Sequence, residues 1–278
     1  MSDVARAGAA EAPAAAAKAD GDDVDRILVV SGVDKRFGGI RAVQGATLDV
    51  RRGSVTALIG PNGAGKTTLF HLITGFIRGE RGDVRYDGRS IFGLPPYAIA
   101  RRGLVRTFQL TKTLAAMPVI DNMMLAAPDQ PGERLTGLIA RPAAARRRER
   151  EVRERALELL DVFNLRPKAD EYAGTLSGGQ RKLLELARAL MLEPRMVLLD
   201  EPMAGVNPSL GRRLLEHMQQ LRSDRGVTFV FIEHDMEVVM GHADTVIVMA
   251  QGQVIAEGPP ETVRRDQRVV DAYLGETP

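Results

Sequence analysis

Short apolar, β-rich runs alternate along the chain with stretches of helical spacing, which argues for an α/β layered fold. The clearest strand patterns are Ile27–Val30, Ala46–Val50, Val55–Ile59, Met196–Asp200, Thr228–Ile232 and Thr245–Met249. Asp87-Gly88 and Gln251-Gly252 read as hairpin turns between short strands. Between about residues 90 and 175 the spacing becomes mostly helical, after Pro95-Pro96 and again after Pro142. This predicts a helical subdomain inserted into the α/β core, reaching to about residue 190. Within it Arg146 to Arg155 is dense in Arg and Glu, which reads as a solvated helix face with i,i+4 pairs; a binding patch is the alternative. Ala156, Leu157, Leu160 and Phe163 supply the apolar side of that helix. No internal repeat is found, so each motif below occurs once.

The 278 residues suffice for one large domain or two small ones, with a sizeable buried core. Hydrophobic residues at 44% and charged residues at 27% are ordinary for a globular protein, so function has to be sought in motifs rather than in composition. The net charge of +2 is too small to argue for a nucleic-acid partner. Cysteine is absent, which excludes disulfides and thiolate metal sites and fits a reducing compartment. Residues 1–23 are Ala-rich, with Asp3, Glu11, Asp20, Asp22 and Asp23 scattered through them. They lack a basic region ahead of a continuous apolar core and read as a disordered tail, not a signal peptide. No apolar run approaches the roughly 20 residues that cross a bilayer, so membrane association is expected through a partner. The expected division is a tail over 1–23, an α/β domain over 24–258 and a C-terminal helical extension over 259–278.

Val55–Ile59 runs directly into Gly60-Pro61-Asn62-Gly63-Ala64-Gly65-Lys66-Thr67-Thr68, which fills every fixed position of the phosphate-loop pattern G-x-x-x-x-G-K-S/T. The glycines let backbone N–H groups close around phosphates without Cβ clashes. The helix that follows, through Leu69, Leu72 and Ile73, aims its positive end at the same anion. Lys66 should reach the β- and γ-phosphates and the Thr67 hydroxyl should ligate Mg²⁺. The alternative is a Gly-rich strand–helix turn without a ligand; strand before and helix after favour a nucleoside triphosphate.

Met196-Val197-Leu198-Leu199-Asp200-Glu201-Pro202 is an apolar run ending in two carboxylates. A buried strand with acids at its C-terminal end suits the place where α/β sheets hold ligands. Asp200 is the expected Walker-B carboxylate for Mg²⁺. Glu201 is the candidate general base that orients and polarises the attacking water, with a plain surface acid as the alternative.

Leu176-Ser177-Gly178-Gly179-Gln180 precedes a helical run with Leu183, Ala187 and Leu190 on one side. Ser177 and Gln180 at i,i+3 also make an ordinary capping box. The pentapeptide does not stand alone. Phosphate loop, Arg106-Thr107-Phe108-Gln109, Leu-Ser-Gly-Gly-Gln, Asp-Glu and Phe231-Ile232-Glu233-His234-Asp235 follow one another in the chain, and in every motif and in order the sequence resembles the ABC ATPase family over about residues 25–258. The resemblance implies a P-loop NTPase core with an antiparallel β subdomain and an inserted helical subdomain, hydrolysing ATP with Mg²⁺. It also implies a head-to-tail dimer in which ATP on one phosphate loop is closed over by Ser177, Gly178, Gly179 and Gln180 of the other subunit. A Gly-rich helix N-terminus is a second anion cradle, which agrees with that role. Gln109 would sense Mg²⁺ and the attacking water, its loop facing a membrane subunit, and His234 would contact the γ-phosphate. Adenine should stack on an aromatic residue upstream of the loop, where Phe37 is the single candidate, a core position being its alternative.

Phe37-Gly38-Gly39-Ile40-Arg41-Ala42-Val43, Arg106-Thr107-Phe108-Gln109, Gly258-Pro259-Pro260-Glu261 and Asp271-Ala272-Tyr273-Leu274-Gly275 resemble the longer ATPase subunit of branched-chain amino acid importers. That resemblance implies integral-membrane permease subunits and a second ATPase subunit, paralogous or identical, as partners. It further implies a solute-binding protein at one remove and a place on the cytoplasmic face of the cell membrane. Nucleic acid is not expected. Asn207 departs from the general family pattern, standing where most members place Asp, and takes a charge away from the dimer-contact loop. Three other readings stay open. One is a soluble ABC ATPase acting on nucleic acid or ribosomes, another the ATPase of a lipopolysaccharide-type exporter, and the third a non-hydrolytic module. Lys66, Asp200, Glu201 and His234 speak against the last.

Overall fold

The computed structural model describes residues 25–107, 114–128 and 142–274. Two antiparallel strands open the fold, β1 (Arg26–Phe37) and β2 (Ile40–Arg51), and both run well past the apolar segments that predict them. Their pairing shifts register between Val30 and Val33 and again before Arg36. Irregularities of this kind break the strict alternation that a sequence reading depends on. With β4 (Arg81–Tyr86) and β5 (Arg89–Ser90) they form a four-stranded sheet in the order β2-β1-β4-β5.

The core sheet has six strands in the order β10-β9-β3-β8-β7-β6. These are β3 (Val55–Ile59), β6 (Leu104–Arg106), β7 (Met196–Asp200), β8 (Thr228–Ile232), β9 (Thr245–Ala250) and β10 (Gln253–Gly258). All neighbours are parallel except the β9–β10 hairpin. Every residue of β3, β7 and β8 is buried, as expected of central parallel strands covered on both faces. Both predicted turns form as hairpins, with positive φ at Asp87 and Gly88 and at Gln251 and Gly252. The edge strand β6 lies inside the stretch whose spacing reads as helical. At three residues it is too short to display a period.

Side chains alternate across this sheet and feed two apolar layers. Val55, Ala57, Ile59, Val197, Leu199, Phe229 and Phe231 face the layer built with α3 (Val119–Met124), α4 (Pro142–Val162), α5 (Gly178–Leu190) and α6 (Pro208–Arg225). Leu58, Leu198, Val230, Ile232, Ile247 and Met249 face α1 (Lys66–Ile73), α2 (Pro96–Ala100) and the antiparallel sheet. Helices α7 (Met236–His242), α8 (Pro260–Arg264) and α9 (Gln267–Leu274) complete the chain. On α4 and just after it the buried stripe is Val152, Ala156, Leu159, Leu160 and Phe163, with Leu157 half-buried. The face carrying Arg147 and Glu151 stays solvated and forms an i,i+4 ion pair of 2.9 Å.

Candidate functional site

Strands β3, β8 and β7 lie side by side, and Ile232 is in register with both Leu58 and Asp200. The loops leaving their C-terminal ends therefore begin at one level, with Gly60 just after β3, Glu233 just after β8 and Glu201 just after β7. At the usual strand spacing, β3 and β7 are separated by about 10 Å across β8. The pattern places the chemistry-bearing side chains of three loops along one edge of the sheet.

The phosphate loop is built by close approach of backbones. A Cβ on Gly60 would lie 2.0 Å from the Met249 carbonyl oxygen, and one on Gly65 would lie 2.3 Å from that of Ala42. Both residues have positive φ, 145° and 97°, so no other residue type fits. The amide of Gly252 donates to the Ala64 carbonyl at 3.0 Å and ties the loop to the β9–β10 hairpin. Gly65 caps α1, whose first-turn amides have no intrahelical acceptor and face the loop's concave side. Lys66 Nζ donates to the carbonyls of Gly60 and Pro61 at 2.6 and 2.8 Å. Asn62, Gly63 and Thr67 are exposed at the mouth, and Thr68 is half-buried.

Phe37 stands at the tip of the β1–β2 hairpin, 50% exposed, with the Lys35 ammonium 5.3 Å from its ring centre. That exposure removes the alternative of a core role.

Asp200 ends β7 almost fully buried and accepts a hydrogen bond of 2.5 Å from Arg106 Nη2. Next to it Glu201 adopts φ 47°, a left-handed conformation that carbon-bearing side chains seldom take. Three bonds hold its backbone. Its N–H donates to the Ile232 carbonyl at 3.1 Å, and its carbonyl accepts from Lys182 Nζ at 3.0 Å and from the Ala204 amide at 3.1 Å. Glu233 is 1% exposed and accepts from the amides of Met203, at 2.8 Å, and His234, at 3.3 Å. Burial pushes its carboxyl above the ordinary carboxylate range. The His234 side chain is 73% exposed.

Ser177 caps α5 and forms the full capping box. Gln180 N donates to Ser177 Oγ at 3.3 Å and Ser177 N to Gln180 Oε1 at 3.0 Å. Ser177 and Gly178 are exposed, whereas a Cβ on the buried Gly179 would strike Leu210 at 2.1 Å. Leu176 and Leu183 of this segment belong to one apolar layer and Leu69, Phe70 and Leu72 of α1 to the other. Signature segment and phosphate loop thus sit on opposite faces of the sheet. Gln109 lies outside the described residues, as does the tail over 1–23.

Among the described residues no group of three or more His, Asp or Glu side chains is arranged to hold a metal. One buried carboxylate, Asp200, and one exposed hydroxyl, Thr67, fit a Mg²⁺ that arrives on a nucleotide, since that ion takes most of its ligands from phosphates and water.

Arg106, Lys182 and Glu233 are site residues that the motifs do not single out. Glu233 carries a readable signal, because like Asp200 it is an acid directly after a run of four apolar residues in a buried strand. Lys182 carries none, being one of several charged positions on its helix.

Comparison with known proteins places this site in a family. Residues 43–204, more than half the chain, match the model described as ABC transporter. The chain belongs to the ABC transporter ATP-binding family. Residues 253–277 also match the model described as Branched-chain amino acid ATP-binding cassette transporter. The high-affinity branched-chain amino acid transport ATP-binding protein BraF of Pseudomonas aeruginosa is 45% identical, over 90% of this chain and 98% of its own length. The probable LivG protein of Archaeoglobus fulgidus is 40% identical over 90% and 96%. A crystal structure of a nucleotide-free ATP-binding cassette from an ABC transporter superposes with a TM-score of 0.78 at 38% identity, covering 90% of this chain and all of that one. The ADP conformation of such a cassette gives 0.77 at the same identity, covering 90% and 99%. As an ABC ATPase the chain couples nucleotide hydrolysis to transport, and among its described residues no helix is long and apolar enough to cross a membrane.

Proposed function

We propose that this chain hydrolyses ATP as one half of a head-to-tail ATP sandwich and so drives an importer of branched-chain amino acids or related small polar solutes. The observation that carries the reading is the convergence of the phosphate loop, Asp200–Glu201 and the Glu233–His234 loop on one sheet edge.

The triphosphate lies against the amides of residues 60–65 and of the first turn of α1. Lys66 exchanges the neutral carbonyls of Gly60 and Pro61 for the β- and γ-phosphate oxygens, a stronger, charge-assisted bond. Phe37 covers the adenine. Thr67, Asp200 and Gln109 hold Mg²⁺, which when bound neutralises charge on the terminal phosphates. Glu201 aligns a water in line with the γ-phosphorus and receives its proton as the new P–O bond forms; the bond to the bridging oxygen breaks and ADP leaves with the electron pair. The left-handed backbone of Glu201 breaks the extended run directly after Asp200. His234 contacts the γ-phosphate and fixes the attack geometry.

Ser177, Gly178, Gly179 and Gln180 close over the nucleotide of the opposite subunit. The exposure of Ser177 and Gly178 at the helix start, on the other face of the sheet from this chain's own phosphate loop, supports action in trans. Partners are two permease subunits at the cytoplasmic face of the membrane, a second ATPase chain and, through the permeases, a solute-binding protein. The cargo reading rests on the C-terminal match over 253–277 and on the names of the relatives.

Glu201→Gln provides the test. It is expected to bind ATP normally, to lose nearly all turnover and to accumulate a closed dimer. Purified from solubilised host membranes, the trapped complex should contain two polytopic permeases and a second ATPase. Unchanged steady-state hydrolysis would remove the base assignment. Recovery of ribosomes or nucleic acid instead of membrane proteins would remove the transporter assembly.

A further inference from the structure

Glu201 sits in the left-handed region, and a residue there holds its place only if the surroundings over-determine it. Its loop is gripped from a third element. Lys182, in the second turn of α5, sends its ammonium to three backbone carbonyls, those of Glu201 at 3.0 Å, Pro202 at 3.3 Å and Ala204 at 2.5 Å. On the other side the Glu233 carboxylate takes the Met203 amide at 2.8 Å, and its second oxygen takes the His234 amide at 3.3 Å. The loop after β7 is therefore clamped between a cation on its carbonyls and an anion on its amide.

We propose that Lys182 is a positioning residue for hydrolysis, fixing the Glu201 peptide to the helix that begins with Ser177, Gly178 and Gly179. The proposal rests on the reading of Glu201 as general base. Three convergent carbonyls suit an ammonium, a compact charge with three donors, and do not suit a planar guanidinium. The clamp has a second consequence in a head-to-tail dimer. The start of α5 serves the nucleotide on the opposite subunit, whereas Glu201 serves the nucleotide on its own. Lys182 therefore joins two ATP sites through one rigid side-chain contact, and closure of a signature helix over one nucleotide bears directly on the base at the other.

The experiment uses the full chain with Lys182→Met, which keeps the length of the side chain and removes the charge. ATP binding should remain within about twofold and KM should hardly change, because no phosphate contact is touched. kcat should fall about 10- to 100-fold, the loss typical of a reacting group displaced by an ångström. The Hill coefficient for ATP should drop toward one. Lys182→Arg should recover only part of kcat, since the charge returns without the geometry. In the Glu201→Gln background, single-turnover hydrolysis should be insensitive to Lys182→Met. A kcat within twofold of wild type in both Lys182 variants would overturn the proposal, as would a fall in kcat matched by an equal rise in KM. An undiminished further loss in the Glu201→Gln background would overturn it too. Wild-type turnover in Glu201→Gln alone would instead remove the base reading. Should Lys182→Met fold poorly, Lys182→Arg, which keeps the positive charge, reads the same positioning.

Discussion

Arg106→Leu tests the buried ion pair beneath the site. The Arg106 and Asp200 side chains are 3% and 2% exposed and meet at 2.5 Å, so bulk water screens neither charge. At an effective dielectric constant of about 20 such a pair attracts by about 7 kcal/mol, most of which offsets the desolvation of the two ions. Leucine abolishes the attraction and leaves the desolvated carboxylate behind, a change that costs about 3–5 kcal/mol. The guanidinium also lies 5.8 Å from the centre of the Phe70 ring, a contact contributing about 1 kcal/mol more. Total stabilities run to about 5–15 kcal/mol, so the variant should fold with little margin. Urea unfolding followed by circular dichroism reads the effect. With a slope near 3 kcal/mol/M, the midpoint should fall by about 1–2 M at unchanged slope. Arg106→Leu combined with Asp200→Asn should be more stable than Arg106→Leu alone, because no carboxylate then stays buried without its cation. A loss below about 1 kcal/mol, the value of an exposed pair, would refute the reasoning. So would a double variant no more stable than the single one.

Two further outcomes follow from the same geometry. Ser177→Ala deletes the hydroxyl that accepts from Gln180 N and should cost about 1 kcal/mol, or about 2–4 °C in a nucleotide-free melt, while Ser177→Thr should cost less. Ser177→Thr melting no higher than Ser177→Ala would dismiss the capping role. Glu233→Gln tests the sign of a raised carboxyl pKa. The unfolded chain ionises near the ordinary value of 4.5 and the folded chain at higher pH, so wild-type stability is lost as pH rises through that window. The variant should therefore gain on wild type as pH is raised from 4.5 toward 7, as read by urea midpoints at each pH. A constant difference over that range would contradict burial as the dominant cause.

What was legible in the sequence is what local chemistry dictates. Gly60 and Gly65 are required by backbones approaching within van der Waals distance, so the phosphate loop is written as a fixed spelling. Strands β3, β7 and β8 are buried on both faces and read as runs in which apolar residues dominate without alternation. The full lengths of β1 and β2 were hidden by register shifts, and β6 by its brevity. Arg106 and Lys182 were missed for a different reason. Each acts on a residue distant along the chain, and a pairing across 94 positions, as between Arg106 and Asp200, leaves no local pattern.

Arg106 and Lys182, together with Lys66, account for how a crowded acidic edge is held. Asp200, Glu201 and Glu233 all emerge within two residues of the same register line, and uncompensated they would repel one another and any incoming triphosphate. Arg106, Lys182 and Lys66 supply the opposing charge in unlike ways. Arg106 is committed to a buried carboxylate, and Lys182 reaches three peptide oxygens from behind the loop. Lys66 bonds peptide oxygens at the exposed mouth, beside Asn62, Gly63 and Thr67. A neutral carbonyl is a weaker acceptor than a phosphate oxygen, so an anion reaching that mouth draws Lys66 toward itself. Drawing away Arg106 would strip Asp200 of its counter-ion inside the protein, and moving Lys182 would break three bonds at once. The division of labour follows from the acceptors: Lys66, held by two neutral carbonyls at the mouth, serves the nucleotide, while Arg106 keeps its hold on Asp200 and Lys182 on the loop that carries Glu201.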